Sequence, residues 1–277
     1  DQRANQRDAA SRRWRGILVL IATLVVAIGL GSAVSWLTHA AVWGWVLETL
    51  IVFSLIAQRD LYVHVKHVAD ALRRDGLEGG RCAVSQIVGR DPDQLDGPGI
   101  CRAAIESCSE NFADGVVAPV FWYLVAGLPG LMAYKAVNTL DSMIGHKTER
   151  HLAFGWASAR FDDLLNLIPS RLSGLIVAAC AFAMQGADGR EALNAMWRDA
   201  RQHKSPNAGW PEAAFAGALG LAIAGPRRYH GETVRDGWMG NGRSACTPRD
   251  IDATLKLYVY ACVLWGIAAV SILGWID

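Results

Sequence analysis

Charged residues are scarce in this sequence: they make up 19% of its 277 residues, whereas 52% of the residues are hydrophobic. Soluble globular proteins usually contain about 25% charged and about 45–50% apolar residues. The high hydrophobicity excludes a disordered chain, which cannot bury enough apolar surface to fold. The formal net charge is only +1, so no excess of positive charge indicates a nucleic-acid partner. The composition therefore predicts an integral membrane protein with polar segments between its spans.

Several chemical motifs are also absent. No two of the six cysteines have the CxxC or CxxH spacing of a zinc or iron–sulfur site, which predicts free thiols. The sequence contains no Walker loop, no GxGxxG phosphate loop and no GxSxG nucleophile elbow. These absences exclude the standard nucleotide cradles and the common serine-hydrolase arrangement. No internal repeat is evident, and a transporter built from two repeated halves would show one.

Long apolar runs predict helices that cross the membrane. About 20 apolar residues are needed to cross a core of roughly 30 Å as a helix. A first helical pair is predicted over residues 16–57, with a turn near Thr38 and His39, and a further span over 255–276. Arginines precede the first run, which predicts that residues 1–15 are cytoplasmic. Glu48 lies inside the second run; it either faces the helix bundle or snorkels to the interface, and both alternatives stay open.

Residues 58–114 are predicted to be a polar helical segment. Apolar residues recur at helical spacing from Leu61 to Leu72, which predicts an amphipathic helix. The sequence DPDQLDGPG at 91–99 predicts a loop, because Pro, Gly and Asp favour turns. A second helix is predicted from about Ile100, and it ends on the polar residues Glu106, Glu110, Asn111 and Asp114.

The next segment, 115–171, starts with an apolar run that is broken by the sequence GLPG at 127–130. Because a proline inside a helix removes a backbone donor and clashes with the preceding turn, we predict a re-entrant hairpin or a tilted pair of helices with its turn at GLPG. In the last segment, 172–277, the runs 172–184 and 213–224 predict short helices that dip into the membrane or line a cavity. The whole chain, 1–277, is therefore predicted to be a single, all-α integral membrane domain: a bundle of transmembrane and short re-entrant helices with cytoplasmic helical segments.

Polar residues flank the predicted hairpin on both sides. Lys135, Asn138 and Asp141 are spaced three apart and would share one face of a helix. Carboxylates and amides at a membrane interface suit Mg²⁺, which takes oxygen ligands and bridges phosphates. Lysine and arginine would neutralise the phosphates themselves. The alternative is an ordinary rim of ion pairs at the membrane surface, and the residues alone leave both interpretations open.

Three stretches of the sequence carry a resemblance to a known family. They are SENFADGVVAPVFWYLVAGLPGLMAYKAVNTLDSMIGHKTERHLAFGWASARFDDLLNLIPSRL at 109–172, SPNAGWPEAAFAGALG at 205–220, and GPRRYHGE at 225–232. Together they resemble the conserved blocks of the CobD/CbiB family, the cobinamide-phosphate synthases of cobalamin biosynthesis. The family usually begins with another apolar segment that carries Gly-Asp-Pro and His-Pro elements. This segment is expected to be missing here, since the chain starts in a polar stretch.

The resemblance implies an ATP- and Mg²⁺-dependent enzyme that forms an amide bond. It would join (R)-1-amino-2-propanol, or its O-phosphate, to the propionate carboxylate of adenosylcobyric acid, through an acyl-phosphate intermediate. On this basis Asp141, Asp162 and Asp163 are predicted to hold metal, and Glu110 or Glu149 to deprotonate the amine. Phosphates are assigned to the basic residues Lys135, Lys147, Arg150 and Arg160. Hydrogen bonds to substrate are assigned to Asn138, Ser205 and Asn207, and a substrate-binding role is also expected for Glu110, Asn111 and Asp114.

The resemblance also implies partners and a location. The expected partners are the corrinoid, the aminopropanol or its phosphate, and the lipid bilayer. No nucleic-acid partner is expected, and the oligomeric state is left open. The expected location is the bacterial inner membrane, with the active site facing the cytoplasm. Trp156, Trp210 and Trp238 lie in polar segments and either pack on the broad corrin ring or belong to an interfacial belt. The alternative function is a membrane sensor or transporter of the same superfamily without ligase activity.

Overall fold

The structure, a computed structural model, describes residues 8–88, 92–145, 152–225, 227–229, 232–234 and 237–276. These residues are mostly helical, and the predicted all-α membrane fold is confirmed. The helices are α1 (Ala9–Ala40), α2 (Gly44–Leu55), α3 (Gln58–Arg74), α4 (Gly76–Val84), α5 (Gly97–Phe112), α6 (Ala118–Ile144), α7 (Trp156–Leu165), α8 (Leu167–Ala183), α9 (Gly189–Asp199), α10 (Gly209–Ala218) and α11 (Pro248–Ile276).

Three helical segments in the described ranges are long and apolar enough to cross a membrane. They are Ala9–Ala40, Gly97–Ile144 and Pro248–Trp275, and the bent pair α7 and α8 is a fourth candidate. Much of the apolar surface of α1 is exposed, including Leu18, Val25 and Leu37. Exposed apolar surface of this extent suits contact with lipid. These segments have the length and composition that the predicted membrane spans require.

The predicted first helical pair is confirmed as α1 and α2. The helix α1 starts at Ala9, earlier than the apolar run predicts, because the Asp8 carboxylate accepts a hydrogen bond from the Ser11 backbone N–H (3.3 Å). Such a cap satisfies an N–H group that has no partner within the helix. The polar start of α1 is therefore part of the same helix as its membrane-spanning stretch.

Contacts divide the chain into two compact units, and the first comprises Asp1–Ile56 and Ala118–Leu167. Its buried core includes Leu20 of α1, Val137 of α6 and Ala157 of α7. A Cβ atom at Gly31 would lie 2.7 Å from the Cα atom of Pro129, so only glycine allows this close approach. Since Gly31 lies beside Pro129 and Leu20 packs against Val137, α1 and the second half of α6 run antiparallel.

The helix α6 contains the predicted reversal of the chain. Its backbone is non-helical at Ala126 and Gly127, where Gly127 has φ +60°. In an uninterrupted helix, Trp122 and Gly130 would be about 12 Å apart along the axis. In this structure a Cβ atom at Gly130 would lie 2.5 Å from the Trp122 carbonyl oxygen. The chain therefore turns back at the start of GLPG, and the prediction of a hairpin at this sequence is confirmed.

The second unit comprises Ala57–Val117 and Ile168–Asp277. Its core is built around α5, where Phe112 makes edge-to-face contacts with Phe215 of α10 (6.1 Å) and Tyr258 of α11 (5.6 Å). All residues of α10 are buried, from Gly209 to Ala218. The run 213–224 is thus helical only as far as Ala218, and its placement, dipping into the membrane or lining a cavity, stays a prediction. The run is apolar because its first half is a core helix, and Ile223–Ala224 form a strand.

The amphipathic helix predicted after residue 57 is confirmed as α3. It runs antiparallel to α11, since the Tyr258 hydroxyl donates to the Gln58 carbonyl (2.8 Å) and the Arg73 guanidinium to the Pro248 carbonyl (3.0 Å). The next predicted helix, α5, starts three residues before Ile100. The Asp96 carboxylate caps it by accepting a hydrogen bond from the Gly99 backbone N–H (2.7 Å).

Four very short strands were not predicted. The strand β1 (Ile223–Ala224) pairs antiparallel with β4 (Trp238–Met239), and between them β2 (Arg227–Tyr229) pairs with β3 (Glu232–Val234). Two or three residues are too few for a recognisable period of two, so the sequence gives little indication of them. Arg227–Tyr229 and Glu232 of the third family-like block, GPRRYHGE, lie in β2 and β3.

Candidate functional site

A buried chain of hydrogen bonds joins α6 and α7 in the first unit. The Tyr134 hydroxyl donates to the Asn166 side-chain oxygen (2.9 Å), and the Asn166 amide donates to one oxygen of Asp162 (3.0 Å). The other oxygen of Asp162 accepts from the Asn138 amide (3.3 Å). Tyr134, Asp162 and Asn166 are all buried. Because each buried polar group has a partner, the network fixes the second half of α6 against α7.

The predicted metal ligands do not form a metal site among the described residues. Both oxygens of Asp162 already accept hydrogen bonds from amides, and Asp163 lies 3.7 Å from Arg160. Consecutive residues on a helix point about 100° apart, so Asp162 and Asp163 cannot easily converge on one ion. In the described ranges, no group of three or more His, Cys, Asp or Glu side chains could hold a metal ion. Asp162 and Asp163 therefore do not fit a shared resident Mg²⁺, and the assignment of Asp141 stays a prediction.

Lys135 lines an open groove of about 460 Å³ in the first unit. The other lining residues come from α1, α2 and α6, and they are almost all apolar: Ala22, Thr23, Val26, Ala27, Leu30, Leu55, Met132 and Ala136. A lysine among apolar residues of membrane-spanning helices marks a functional position more often than a structural one. The other predicted residues of this unit differ in exposure: Asp141 and Asn138 are half-buried, and Arg160 is exposed.

Glu48 faces the interior of the first unit, which decides between the two alternatives for this residue. It is buried, and its carboxylate accepts hydrogen bonds from the Thr38 hydroxyl (2.7 Å) and the Tyr123 hydroxyl (3.0 Å). Thr38 lies near the end of α1, and Tyr123 lies on the first arm of α6. An acid inside an apolar run is satisfied here by hydroxyl groups from both neighbouring helices.

In the second unit, Ser170 and Arg171 at the start of α8 meet the SPNAGWPE sequence. The Ser170 hydroxyl lies 3.3 Å from the Asn207 side-chain oxygen, and the Arg171 guanidinium lies 3.5 Å from the same atom. The guanidinium also stacks on the Trp210 ring at 4.6 Å. Stacking and planar hydrogen bonding are properties that lysine does not share with arginine. This cluster combines a fixed cation with amide and hydroxyl groups that can bind an anionic or polar ligand.

Ser205 and His203 order the loop before α10. The Ser205 hydroxyl oxygen accepts hydrogen bonds from the backbone N–H groups of Asn207 (3.2 Å) and Ala208 (3.3 Å). The Ser205 N–H donates to Nδ1 of His203 (3.0 Å), which leaves the proton of a neutral imidazole on Nε2, 3.7 Å from the Glu212 carboxylate. Ser205 therefore shapes the loop that presents Asn207.

Two buried carboxylates hold the backbone at the paired strands β1 and β4. Glu106 of α5 accepts a hydrogen bond from the Ala224 N–H (3.0 Å), and Ala224 has φ +60°, a conformation that side chains disfavour. Asp199 accepts from the N–H of Gly240 (2.9 Å), the residue that follows β4. Arg198 holds Asp199 with two short hydrogen bonds, and this contact raises the pKa of the Arg198 guanidinium. Strained backbone held by buried groups is typical of functional segments.

The remaining predicted residues are spread over the chain. Glu110 and Asn111 are exposed near the end of α5, and Asp114 lies in a π-helical turn at Ala113–Val117, a feature frequent at functional sites. Three further predicted residues, Lys147, Glu149 and Arg150, lie outside the described residues. The predicted site residues are thus divided between the units: those on α6 and α7 belong to the first, and Glu110, Asn111, Asp114, Ser205 and Asn207 to the second.

The three tryptophans considered for the corrin ring differ in exposure. Trp210 is buried under Arg171, whereas Trp156 and Trp238 are 44% and 41% exposed. Arg13 lies over the ring of Trp156 (5.7 Å), and Arg102 lies over the ring of Trp238 (5.9 Å). Only the latter two have ring surface that a large flat ligand could reach.

Several residues of these clusters were not among the predicted site residues. They are Tyr134, Ser170, Arg171, His203 and Glu212. Two of them had a usable signal in the sequence: Arg171 is the only charged residue between Asp163 and Asp188, and Glu212 is the only one in the run 205–225. A single charge in an apolar run usually faces the protein interior.

Comparisons with known proteins place this arrangement in a family. The family model described as CobD/Cbib protein matches residues 1–258. The chain belongs to the CobD/CbiB family. A member from a Sinorhizobium species, named "Cobalamin biosynthesis protein CobD", is 51% identical over 269 residues, which cover 95% of this chain and 83% of that protein. The matched region of this CobD/CbiB chain includes both the network around Asp162 and the cluster around Arg171.

Two further relatives carry the same printed name. The protein from Brucella suis biovar 1 is 54% identical over 250 residues, covering 89% of this chain and 76% of the relative. The protein from Rhodobacter capsulatus is 49% identical, covering 94% of this chain and 80% of the relative. No solved structure gives a significant match. The resemblance seen in the sequence blocks is thereby confirmed as family membership.

Proposed function

We propose that this CobD/CbiB chain is a membrane-bound enzyme of cobalamin biosynthesis that forms an amide bond on a corrinoid. The observation that carries the proposal is the identity of about one half to curated relatives named "Cobalamin biosynthesis protein CobD", over most of both chains. The substrates would be adenosylcobyric acid and (R)-1-amino-2-propanol or its O-phosphate. The product would be adenosylcobinamide or its phosphate.

The reaction needs activation because a carboxylate is a poor electrophile. In the proposed sequence, the propionate oxygen takes the γ-phosphoryl group of ATP, and ADP leaves. The neutral amine then attacks the carbonyl carbon of this acyl phosphate, inorganic phosphate leaves, and a base takes the proton from nitrogen. Negative charge accumulates on the phosphoryl oxygens in the first step and on the former carbonyl oxygen of the tetrahedral intermediate in the second. Positively charged groups that are already in place stabilise both.

The residues proposed for these tasks are mainly those that the resemblance in the sequence assigns to them. Lys135 and Arg160, with Lys147 and Arg150, are proposed to bind phosphoryl oxygens, and Glu110 or Glu149 to accept the amine proton. We add Arg171, because its guanidinium is fixed against Trp210 beside Ser170 and Asn207. Asp162 is assigned a positioning role, since its hydrogen bond holds the Asn138 amide. Mg²⁺ is proposed to enter with ATP as part of the nucleotide substrate.

The proposed location is the bacterial inner membrane, with the polar segments facing the cytoplasm where ATP is present. The membrane-spanning helices support a membrane location. The basic residues before the first span, among them Arg12, Arg13 and Arg15, favour a cytoplasmic N-terminal end.

An assay with purified components tests the proposal. The full chain in lipid nanodiscs is incubated with adenosylcobyric acid, the amine or its O-phosphate, ATP and Mg²⁺, and the corrinoid is analysed by mass spectrometry. We expect a mass increase equal to the amine minus water, dependent on ATP, with ADP and phosphate formed in equal amounts. No coupling with either amine, under conditions where the protein remains folded, would contradict the proposal.

Two pairs of variants test the residue assignments. Lys135→Met should abolish turnover, and Lys135→Arg should restore little, because a planar guanidinium does not replace a compact ammonium in a shaped site. Arg171→Lys should lower turnover because lysine keeps the charge but loses the stacking on Trp210. Arg249→Gln, an exposed position at the start of α11, is the control for general effects of charge. Near-normal activity of Lys135→Arg would show that Lys135 is an anchor at the membrane.

A further inference from the structure

A second groove, of about 350 Å³, lies on the second unit between α3 and α11. It combines two lysines, two tyrosines and apolar side chains, and it is separate from every residue proposed for the reaction. The lining residues are Tyr62, Lys66, Asp252, Leu255, Lys256, Val259 and Tyr260.

The groove lies where α11 enters the membrane. Lys256 is the last charged residue of α11, and residues 257–276 carry no Asp, Glu, Lys or Arg. An uncharged stretch of this length can cross the hydrocarbon core. Tyrosine is enriched at the boundary between this core and the head groups, and Tyr62 and Tyr260 are placed on opposite walls of the groove. Lys256 therefore marks the level of the lipid phosphates.

The charges around the groove leave one cation in excess. Lys66 lies 2.9 Å from Asp70 and 3.2 Å from Asp252, and Arg73 contacts both of these carboxylates. The two acids are thus matched by two bases. Lys256 lies over the Tyr260 ring at 5.9 Å and forms no ion pair with any residue that the structure describes. Its ammonium group is positioned to meet an anion from outside the protein.

An apolar stripe continues from the groove along the membrane-spanning part of α11. Val259, Val263 and Ile267 recur every four residues and are 40%, 54% and 61% exposed. Residues spaced by four lie above one another on a helix surface. We propose that this groove binds one anionic phospholipid, with its phosphate at Lys256 and Tyr260 and an acyl chain along the stripe. The cation and the apolar stripe follow one another along α11 in the same order as the anionic head group and the acyl chain of a phospholipid.

Binding of defined lipids tests the proposal. The purified full chain in a neutral detergent is titrated with dioleoyl phosphatidylglycerol or dioleoyl phosphatidylcholine, and bound lipid is counted by native mass spectrometry. We expect a first phosphatidylglycerol to bind in preference to phosphatidylcholine. Lys256→Gln should weaken phosphatidylglycerol binding about fivefold, as expected for one lysine near an anionic head group, without changing phosphatidylcholine binding.

A matched control and a competitor make the test specific. Arg249→Gln removes the same charge from the same helix outside the groove, and it should keep the affinity of the unchanged protein. Lys256→Gln breaks no ion pair, so its thermal midpoint should be unchanged. Equal loss in both variants would show diffuse attraction, and an unchanged affinity in Lys256→Gln would show that the groove is not used. Displacement of the lipid by inorganic phosphate would indicate a small-anion site, and each of these three results overturns the proposal.

Discussion

Replacement of Asp162 separates a positioning role from a metal-binding role. We consider two substitutions, Asp162→Ala and Asp162→Asn. Alanine removes the acceptor for both the Asn138 and the Asn166 amides, whereas asparagine keeps one acceptor oxygen and adds a donor. A magnesium ligand would be lost almost equally in both variants, because a neutral amide is a much weaker ligand for Mg²⁺ than a carboxylate.

The structure gives the expected magnitudes for the positioning role. In Asp162→Ala, the buried Asn166 amide loses its acceptor, which costs about 1–3 kcal/mol. The half-buried Asn138 can turn partly to water, so the total loss in the free energy of unfolding should be about 2–4 kcal/mol. In Asp162→Asn, Asn166 keeps its acceptor. Asn138 makes no other side-chain hydrogen bond in the described ranges and can flip to accept from the new amide, so the loss should stay below about 1.5 kcal/mol.

Thermal unfolding of the purified protein in detergent measures these effects, with turnover followed at a series of Mg²⁺ concentrations. Asp163→Ala is the neighbouring control, and its partly exposed ion pair with Arg160 should contribute less than about 1 kcal/mol. We expect the stability order Asp163→Ala, Asp162→Asn, Asp162→Ala, from highest to lowest, and an unchanged Mg²⁺ requirement. Unchanged stability of Asp162→Ala, or a Mg²⁺ requirement raised in both Asp162 variants, would refute the positioning role.

Three further predictions concern packing, pH and topology. Gly31→Ala should lower the thermal midpoint of unfolding because its Cβ would meet the backbone of the facing helix. Gly29→Ala is the control on the same helix, where the space around the glycine is open, and it should leave the midpoint unchanged. Equal midpoints of the two variants would contradict the close packing at Gly31. The hydrogen bond from Lys66 lowers the pKa of the Asp70 carboxyl below its usual value of 3.8. The small, salt-screened stabilisation from this ion pair is therefore present above pH 3.8 and is lost as the pH falls further. If Lys66→Met lost the same stability at neutral and at strongly acidic pH, this assignment would be contradicted. Cys82 is the exposed cysteine, and residues 58–114 are proposed to face the cytoplasm. A membrane-impermeant maleimide should therefore label Cys82 only after spheroplasts are opened. Labelling in intact spheroplasts would place residues 58–114 outside the cytoplasm.

The elements that could be predicted are those with a strong and long periodic signal. The pair α1 and α2, the amphipathic α3 and the reversal at GLPG followed from apolar length, helical spacing and the properties of proline. The helix α10 could not be placed in the same way. A short apolar run has the same composition whether it faces lipid or a protein core, and only the contacts that bury Phe215 decide between them.

The site was harder to predict than the fold for a related reason. A carboxylate such as Asp162 has the same identity in the sequence whether it binds an ion or two amides. Its partners are Asn138 of α6 and Asn166, the residue that follows α7. The sequence does not state these distances. Arg171 could have been singled out, because an isolated charge in an apolar helix needs a partner inside the protein.

The reversal in α6 affects how crossings of the membrane are counted. Hydropathy treats an apolar run of this length as one passage, and it then assigns the flanking segments to opposite faces of the bilayer. A run that turns back on itself, as this one does at Ala126 and Gly127, contributes zero passages or two, which in either case is an even number. If the chain enters the membrane at Ala118, the reversal returns it at Ile144 to the same face. A count that overlooks the reversal would then invert every inside-or-outside assignment for the residues beyond Ile144.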